Sequence, residues 1–385
     1  MVSTLLASSS GFSDVTRKIT LEFPNLFDGT RITYSRGFNI FGLSIYWYGI
    51  LIAVGLVLAY FYAMHRMEKD FGIVKDRAFD VIFAATIGGF LCARIYYCVF
   101  TTLNPDSGIK YNFITTFTTI HDGGIAIYGG IIGAVLVGLL FCKIRKVHFR
   151  AMVDVAALGF LIGQGIGRWG NFINQEAYGA ACDKDFLFAM TGTRIASEMG
   201  EGVFVHPCFL YESLWCLLGF VLLHFYSKKL RTYDGEIALL YVAWYGLERF
   251  FVEGLRTDSL MAGKFRVSQL VAAVSFVVAI VMFVVFKIMA KKRSYVLYVN
   301  TDNSKELIAH DKQLEEERLE KKKARKKALY NTAPEENTED APAEKEVTEE
   351  TTEDTETADN EENTEENTEV NTEDNTEENE NGTDN

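Results

Sequence analysis

The stretch SIYWYGILIAVGLVLAYFYAM, residues 44–64, contains 21 residues and no charged side chain. About 20 mostly apolar residues in a helix cross the roughly 30 Å hydrocarbon core of a bilayer. A membrane β-barrel would instead show strands of about ten residues in which apolar and polar side chains alternate. Because the run is continuous, it predicts a membrane-spanning helix and excludes a simple soluble domain.

Six further apolar windows predict additional spans, at 78–100, 125–142, 151–168, 209–227, 236–254 and 266–286. The predicted fold class is therefore an all-α polytopic membrane protein with about seven transmembrane helices. Connections 65–77, 143–150 and 228–231 and the segment after the last span carry 15 Lys and Arg, against five in the alternate connections. Because cytoplasmic loops are enriched in Lys and Arg, the N-terminus is expected outside and the C-terminus in the cytoplasm.

The charge of the chain is distributed very unevenly. The 385 residues have a formal net charge of −13, but residues 331–385 alone hold 23 acidic residues, one lysine and no aromatic residue. Such a composition cannot bury enough apolar surface to offset chain entropy, so it predicts a disordered acidic tail. Residues 304–329 predict a charged cytoplasmic helix, whose basic second half either contacts anionic lipid headgroups or is simply solvated.

The predicted organisation has four parts. An extracytoplasmic or interfacial segment covers residues 1–43, and a transmembrane domain that carries the functional site covers 44–290, with an extracytoplasmic insertion at about 175–206. A charged cytoplasmic helix at 291–330 and the acidic tail at 331–385 complete the chain.

Polar side chains within or beside the spans gather at one depth. A charge inside a span costs roughly 2.5–3.5 kcal/mol on insertion scales, so such residues are candidates for function. With the orientation above, all of them fall in the outer half of the membrane. They are Tyr48, Arg94, Tyr128 with Gly129 and Gly130, Arg168 with Asn171, His206 with Tyr211 and Glu212, and Arg249 with Glu253 and Arg256.

The sixth predicted span places three charges on one face. Arg249, Glu253 and Arg256 are spaced i, i+4 and i+7, so they share one side of a helix. One interpretation is a salt bridge between Arg249 and Glu253 that makes both tolerable in lipid. Arg256 then suits an incoming phosphate, because the guanidinium group offers two parallel donors.

The segment GQGIGRWGNFINQEAYG, residues 163–179, is unlike an ordinary lipid-facing helix end. It holds five glycines together with Arg168, Asn171, Asn174, Gln175 and Glu176. Glycines alone would favour a close-packed helix pair followed by a polar loop. The added arginine and amides supply donors for an anionic oxygen, and glycine lets the backbone approach a ligand, so a binding site is favoured.

Three weaker signals have simpler explanations. His121–Asp122 is either a catalytic dyad or a polar turn, and His206–Pro207 suits the first turn of a helix. Cys182 and Cys208 both fall outside the membrane, where they either pair or stay free.

No nucleophile elbow, P-loop, His-Glu-x-x-His or paired Cys-x-x-Cys motif occurs, so a serine hydrolase, an NTPase and a zinc site have no support. No cofactor, metal or nucleic acid is expected.

Residues 167–179, GRWGNFINQEAYG, resemble the signature of the bacterial phosphatidylglycerol:prolipoprotein diacylglyceryl transferases. Matching motifs occur in the expected order over roughly residues 40 to 290. They are Trp47-Tyr48-Gly49, Ala93-Arg94-Ile95-Tyr96-Tyr97, Gly123-Gly124 with Tyr128-Gly129-Gly130, His206-Pro207 with Leu210-Tyr211-Glu212, and Arg249 through Arg256.

The resemblance implies a multi-pass enzyme of the bacterial cell membrane. Such an enzyme moves the diacylglyceryl group of phosphatidylglycerol to the lipobox cysteine of a preprolipoprotein and releases glycerol phosphate, the first step of lipoprotein maturation. The alternative function is a transporter or binder of an anionic lipid or solute. Transporters usually place their site near the midplane and show corresponding interrupted segments in two halves, and this sequence shows neither feature.

The resemblance also implies roles for individual residues. The catalytic set corresponds to Tyr48, Arg168, Asn171, Glu176, Arg249 and Glu253. Phosphatidylglycerol is expected to contact Arg168, Asn171, Gly179, Arg249, Arg256, Tyr128 and Arg94. The base or its support is expected among His206, Tyr211 and Glu212, with Glu176 and Glu253 as further candidates.

One position departs from the family pattern. Many members have His-Gly-Gly where this chain has Tyr128-Gly129-Gly130. Tyrosine has an ordinary pKa of about 10 against about 6.5 for histidine, so it is a poor base near neutral pH. A general role of this position as the base is therefore not expected here, although Tyr128 can hold a phosphate by a hydrogen bond.

Overall fold

The computed structural model describes residues 15–26, 29–103, 113–118, 124, 126–256, 261–262 and 265–331. The His121–Asp122 pair lies outside the described residues, and so does the acidic tail beyond residue 331. One compact unit extends to Arg325, and a second begins at Lys326, of which only the end of the last helix is described.

Helices dominate the described chain, which confirms the predicted fold class. Within the part of the chain that the structure describes, six helices are long and apolar enough to cross a membrane. They are α1 (Trp47–Phe71), α2 (Lys75–Leu103), α4 (Ile127–Arg145), α5 (Phe149–Asn174), α7 (Cys208–Lys229) and α9 (Val267–Lys292). The remaining predicted span, the sixth, is also helical, as α8 (Glu236–Leu255), but its charged residues leave it outside this apolar set. The remaining helices are α3 (Phe113–Thr118), α6 (Thr193–Met199) and α10 (Asp302–Asn331).

The long helices pack in pairs through small residues. α1 lies along α5, α2 along α4, and α8 along α9, while α5 also contacts α7 and α8. A Cβ built at Gly55 would lie 3.2 Å from the carbonyl oxygen of Gly163, and one at Gly133 would lie 2.3 Å from Cβ of Cys92. Glycine therefore lets these backbones approach closely. The α2–α4 pair touches α1 and α5 only lightly.

Short strands, which the sequence analysis did not predict, cover one end of the helices. β1 (Lys18–Glu22) pairs antiparallel with β2 (Arg31–Ser35) and with β6 (Thr191–Gly192). β3 (Gly37–Ile40) and β4 (Leu43–Tyr46) form a hairpin that leads directly into α1. The remaining pairs are β5 (Ala181–Cys182) with β7 (Phe204–Val205), and β8 (Met261–Ala262) with β9 (Phe265–Arg266).

These strands attach the segment between α5 and α7 to the N-terminal part of the chain. Ile19 and Leu21 alternate with more exposed neighbours along β1, as expected for a strand with one buried face. A second apolar cluster forms where the strands meet the helix ends. Its buried members are Leu21, Phe23, Tyr178, Met190, Ile195, Val205 and Phe209.

Polar contacts at the opposite end of the bundle hold α8 in position. Asp154, at the start of α5, accepts hydrogen bonds from the backbone nitrogens of Gly235 (2.8 Å) and Ala238 (2.9 Å). These bonds satisfy amide groups that the first turn of α8 leaves without an intrahelical partner. Glu236, which is fully buried, pairs with Nζ of Lys287 on α9 at 2.9 Å. The start of α8 is therefore anchored on two neighbouring helices.

The final helix docks on the same end as these contacts. Arg77 binds both carboxylate oxygens of Asp311 at 2.6 Å each, and the hydroxyl of Ser304 donates to the carbonyl oxygen of Gly72 at 2.7 Å. Ser304 is fully buried, whereas most residues of α10 after Asp311 are exposed. The beginning of α10 is thus part of the packed structure.

Candidate active site

Four charged side chains from three helices form one ion network. Oε2 of Glu212, on α7, lies 2.9 Å from Nη1 of Arg168, at the end of α5. Oε1 of the same carboxylate lies 3.1 Å from Nη1 of Arg249 on α8. Arg249 also binds Oε2 of Glu253 through Nη2 at 2.5 Å, which is the salt bridge that the i, i+4 spacing predicted. A single carboxylate therefore joins two arginines that are far apart in the sequence.

Because this network is buried, the loss of one member would leave a buried charge without a partner and would cost free energy. Glu212 is 1% exposed and Glu253 is 3% exposed, whereas the side chains of Arg168 and Arg249 are 19% and 18% exposed. Buried charges persist in proteins only when they are paired. Because the arginine side chains are the more exposed part of the network, an anion that approaches the network meets them before it meets the carboxylates.

The last turn of α5 brings Tyr48 against the family motif. A Cβ built at Gly170 would lie 1.9 Å from Cδ2 of Tyr48, so the aromatic ring rests directly on this glycine. By contrast, a Cβ at Gly167, one turn earlier, would meet nothing within 4 Å. Gly167 and Gly170 therefore have different roles, and only Gly170 is required for the position of Tyr48.

Glu176, just after α5, is surrounded by donors. Its Oε1 accepts from Nδ2 of Asn171 at 3.1 Å and from Nδ2 of Asn174 at 3.3 Å, and its Oε2 lies 3.4 Å from Nη1 of Arg194. Burial alone lowers the pKa of Arg194, but its hydrogen bond to Glu198 and the nearby carboxylates raise that pKa overall. Arg194 therefore stays cationic and fixes Glu176, which suits Glu176 to positioning rather than to proton transfer.

The turn that follows α5 is conformationally unusual. Gln175 and Ala177 have positive φ angles of 51° and 55°, a region that side chains other than glycine adopt infrequently. Gln175 is fully buried, donates to the carbonyl oxygen of Thr20 at 2.9 Å and accepts from the backbone nitrogen of Arg194 at 2.8 Å. These bonds to β1 and α6 hold the turn in this conformation.

A second group of predicted residues lies around Gly179. Its backbone nitrogen donates to the carbonyl oxygen of His206 at 2.9 Å, and Gly179 forms an isolated bridge with Arg256. Nδ1 of His206 lies 3.2 Å from the hydroxyl of Tyr211. A Cβ at Gly179 would approach Sγ of Cys208 and Cβ of His206 to 2.9 Å each. The end of α8 and the start of α7 therefore meet at this glycine.

Two cysteines of this region are free thiols. Cys182 lies on β5 and Cys208 begins α7, and neither forms a disulfide in the structure. Burial is the main cause that raises the pKa of the Cys182 thiol. A raised pKa disfavours the reactive thiolate, so this thiol has no sign of a catalytic role.

Arg94 and Tyr128 lie on the α2–α4 pair rather than in the ion network. Arg94 is 7% exposed, donates to the carbonyl oxygen of Gly124 at 2.8 Å and lies over the ring of Tyr97. Tyr128 is 57% exposed at the start of α4. Their described contacts therefore belong to a different pair of helices from those of Arg168 and Arg249.

Two residues that were not predicted from the sequence lie beside the predicted ones. Arg194 binds Glu176 from α6, but nothing in its local sequence distinguishes it from a surface arginine. Glu248 is buried on α8 next to Arg249, and as a charged residue within a span it carried the signal that selected the others. Among the described residues, no group of three or more His, Cys, Asp or Glu side chains is suited to hold a metal ion.

The helices and the ion network define a polytopic membrane protein with a buried site that is suited to receive an anion. Comparison with known proteins gives the particular family. Residues 36–285 match the family model described as prolipoprotein diacylglyceryl transferase. The chain belongs to this family, which confirms the resemblance seen in residues 167–179, and it is a transferase.

Two relatives illustrate the extent of the similarity. A protein of Staphylococcus haemolyticus (strain JCSC1435) is 43% identical over 254 residues, which cover 64% of this chain and 86% of that protein. One from Staphylococcus aureus (strain Newman) is 41% identical over 250 residues, covering 63% and 85%. Both are named phosphatidylglycerol–prolipoprotein diacylglyceryl transferase. The family match includes α1 to α8 and most of α9, whereas β1, β2 and α10 lie outside it.

Proposed function

We propose that the chain transfers the diacylglyceryl group of phosphatidylglycerol to the lipobox cysteine thiol of preprolipoproteins, the first step of lipoprotein maturation. The product is a thioether, and glycerol phosphate is released. The observation that carries the proposal is the pair of partly exposed arginines, Arg168 and Arg249, held side by side by the buried carboxylate of Glu212. Two guanidinium groups at one position suit the phosphate of a lipid headgroup.

The reaction needs one bond to form and one to break. The thiolate attacks the glycerol carbon that carries the phosphate, so a sulfur–carbon bond forms while the carbon–oxygen bond to phosphate breaks. The electron pair of that bond leaves with the phosphate oxygen, and the thiol proton passes to a base. Direct displacement needs no covalent enzyme intermediate, and it keeps both acyl chains in the bilayer throughout.

Arg168 and Arg249 hold the phosphate and stabilise the charge that develops on the leaving oxygen. Glu212 and Glu253 orient these arginines, and Tyr48 and Asn171 line the approach from α1 and α5. Around Gly179, Arg256 provides a further cation near the headgroup. These roles are supported by the ion pairs and by the contact of Tyr48 with Gly170.

We look for the proton acceptor among side chains whose acceptor atoms are not already occupied by hydrogen-bond donors. Glu176 already accepts hydrogen bonds from three donors, and Glu253 is bound by Arg249, so both carboxylates are engaged in holding other side chains. His206 contacts Tyr211 through Nδ1, and an imidazole is the commonest general base in enzymes. We assign the base to His206, with Tyr211 as its support.

Transfer is tested with purified protein, phosphatidylglycerol and a lipobox peptide, followed by mass spectrometry of the peptide. We expect the mass of a diacylglyceryl group to be added to the cysteine by wild type and not by Arg168→Ala. The matched control is Arg145→Ala, which removes an exposed arginine that pairs with Asp80 on a neighbouring helix. Bound lipid without added mass in wild type would contradict the proposal and favour a binder or transporter.

We also propose a location in the bacterial cytoplasmic membrane, with the ion network near the outer surface and α10 in the cytoplasm. The distribution of Lys and Arg in the connections supports this orientation. Single cysteines introduced at Glu201 and at Glu306, in a variant without the native cysteines, test it with a reagent that cannot cross membranes. Labelling of position 201 alone in intact cells is expected, and labelling of position 306 alone would reverse the orientation.

A further inference from the structure

Glu248 is a buried carboxyl group that the roles above leave unused. It lies on α8 directly before Arg249, and only 4% of it is exposed. Within the described residues its Oε1 atom has no hydrogen-bond partner, and its Oε2 atom lies 4.0 Å from Sγ of Cys216. Because a thiol is only a weak donor, neither oxygen has the strong partner that a buried carboxylate requires.

Glu248 lies about one helical turn deeper than the ion network. Its neighbour Cys216 follows Glu212 by four residues on α7, and a Cβ built at Gly165 would lie 3.5 Å from Cβ of Cys216. Gly165 precedes Arg168 by three residues on α5. Helix positions three or four residues apart stack one turn apart, about 5.4 Å along the axis. Glu248 therefore lies on the side of the ion network that is deeper in the apolar part of the helix bundle.

Charged and titratable groups approach Glu248 from α5, α7 and α8. By helix, they are Arg168 on α5, Glu212 and Cys216 on α7, and Tyr241, Tyr245 and Arg249 on α8 itself. The helix α9 also packs along α8, but its charged residues Lys287, Lys291 and Lys292 lie at its far end. Both arginines already pair with Glu212, and Arg249 also pairs with Glu253. Arg256 lies just beyond the end of α8, eight residues after Glu248, where its backbone is extended and pairs with Gly179. An ionised Glu248 would thus add a third carboxylate to a network of two arginines and two carboxylates.

We propose that Glu248 is held as a neutral carboxylic acid and acts as a positioning residue, which keeps the network balanced so that Arg168 and Arg249 can accept a phosphate. The inference rests on the proposed function, because the balance matters only when an anionic headgroup binds these arginines. An ionised Glu248 repels that headgroup from a distance of one to two helical turns. With an effective dielectric constant of about 20, this repulsion corresponds to at least about a tenfold loss of affinity.

Equilibrium binding of phosphatidylglycerol to the purified full-length protein, without peptide, tests this role over the pH range in which the protein stays folded. Wild type is expected to bind at least about tenfold more weakly once the pH is high enough to ionise Glu248. Glu248→Gln, which stays neutral, should bind equally well throughout this range. Glu248→Leu provides a second neutral side chain of similar size, should the amide disturb folding.

The matched control is Glu201→Gln, which removes an exposed glutamate in a loop and should keep the pH dependence of wild type. A wild-type affinity that is constant with pH would overturn the inference, and so would a neutral variant that keeps the wild-type dependence. A loss of kcat by Glu248→Gln at every pH would assign proton transfer to Glu248 and reject the positioning role. If wild type transfers no diacylglyceryl group, the proposed function fails, whereas the binding measurement still decides the charge state of Glu248.

Discussion

Oε2 of Glu212 lies 2.9 Å from Nη1 of Arg168, and this carboxylate is almost completely buried. Because Oε1 of Glu212 binds Arg249, one side chain sets the separation of two guanidinium groups. We expect Glu212→Gln to lower the transfer rate by about 100-fold, since the arginines lose their common anchor. Removing one partner of a buried ion pair costs about 3–5 kcal/mol, so the unfolding temperature should fall as well.

The transfer assay and a thermal unfolding curve measure these two effects together. Glu22→Gln serves as the control, because Glu22 on β1 pairs with Arg31 on β2, outside the ion network. A well-folded Glu212→Gln enzyme that transfers at the wild-type rate would show that the shared carboxylate is dispensable.

The glycines of the family motif should respond differently to alanine. In Gly170→Ala the new methyl group would collide with the ring of Tyr48, at 1.9 Å from Cδ2, so the ring must leave its position. In Gly167→Ala the methyl group meets nothing within 4 Å, and alanine favours the helix by about 1 kcal/mol. We expect at least about a tenfold loss of transfer for Gly170→Ala and none for Gly167→Ala. Equal rates in the two variants would exclude a role for the contact with Tyr48.

Tyr128 offers a test of whether this position contributes to the chemistry. Its side chain is 57% exposed, and a tyrosine is a poor base near neutral pH. Tyr128→Phe removes only the hydroxyl group, so we expect less than about a tenfold change in transfer, confined to KM if the hydroxyl touches the headgroup. A fall in kcat of about 1,000-fold would instead place the tyrosine in the chemical step.

The attachment of α10 should depend on pH. The hydrogen bond from Arg77 is the main cause that holds the pKa of Asp311 below its ordinary value. Since the pKa is lowered in the folded protein, this stabilisation is complete above the unfolded value of about 3.9 and is lost as the pH falls through the folded value. Protection from hydrogen exchange over residues 302–311, measured relative to the intrinsic exchange rate at each pH, should therefore be high at neutral pH and fall in strong acid.

Asp311→Asn removes the charge at every pH, so the same exchange should already be fast at neutral pH. Glu306→Gln is the matched control, because Glu306 is an exposed acidic residue of the same helix. Slow exchange in Asp311→Asn would show that Ser304 and the apolar contacts are sufficient to dock α10.

Deletion of residues 332–385 should leave transfer unchanged. The family match ends at residue 285, and the ion network lies entirely within it. The deletion removes 23 acidic residues and one lysine, so the purified protein should become much less acidic without losing turnover. Loss of transfer in folded, truncated protein would assign the tail a role in catalysis.

The helices could be predicted from sequence because each span is a continuous apolar run, but their limits could not. α5 continues to Asn174, beyond the predicted end at residue 168, because its polar residues turn toward partners on other elements. α1 likewise continues to Phe71, since the buried Arg66 finds Tyr62 and Ser227 as acceptors. Hydropathy treats such polar residues as the end of a span, whereas tertiary partners make them tolerable inside it.

The candidate site could be predicted only in part. Charged residues within apolar spans can be recognised from the sequence alone, and they pointed to Arg168 and Arg249. That Glu212 joins them depends on the packing of α5, α7 and α8, which no local pattern encodes. The strand pairs were missed for a related reason: β6 has two residues, and its partner β1 is about 170 residues away. Arg94 and Tyr128 share a predicted depth with the network but lie on another helix pair.

The carboxylate shared by two arginines also sets the order in which the proposed anion site is assembled during synthesis. Arg168, Glu212 and Arg249 leave the ribosome in that order, 37 to 44 residues apart. Until α8 has inserted, Glu212 has only one of its two arginines, so we expect a chain released at that stage to hold half of the proposed site and to transfer no lipid.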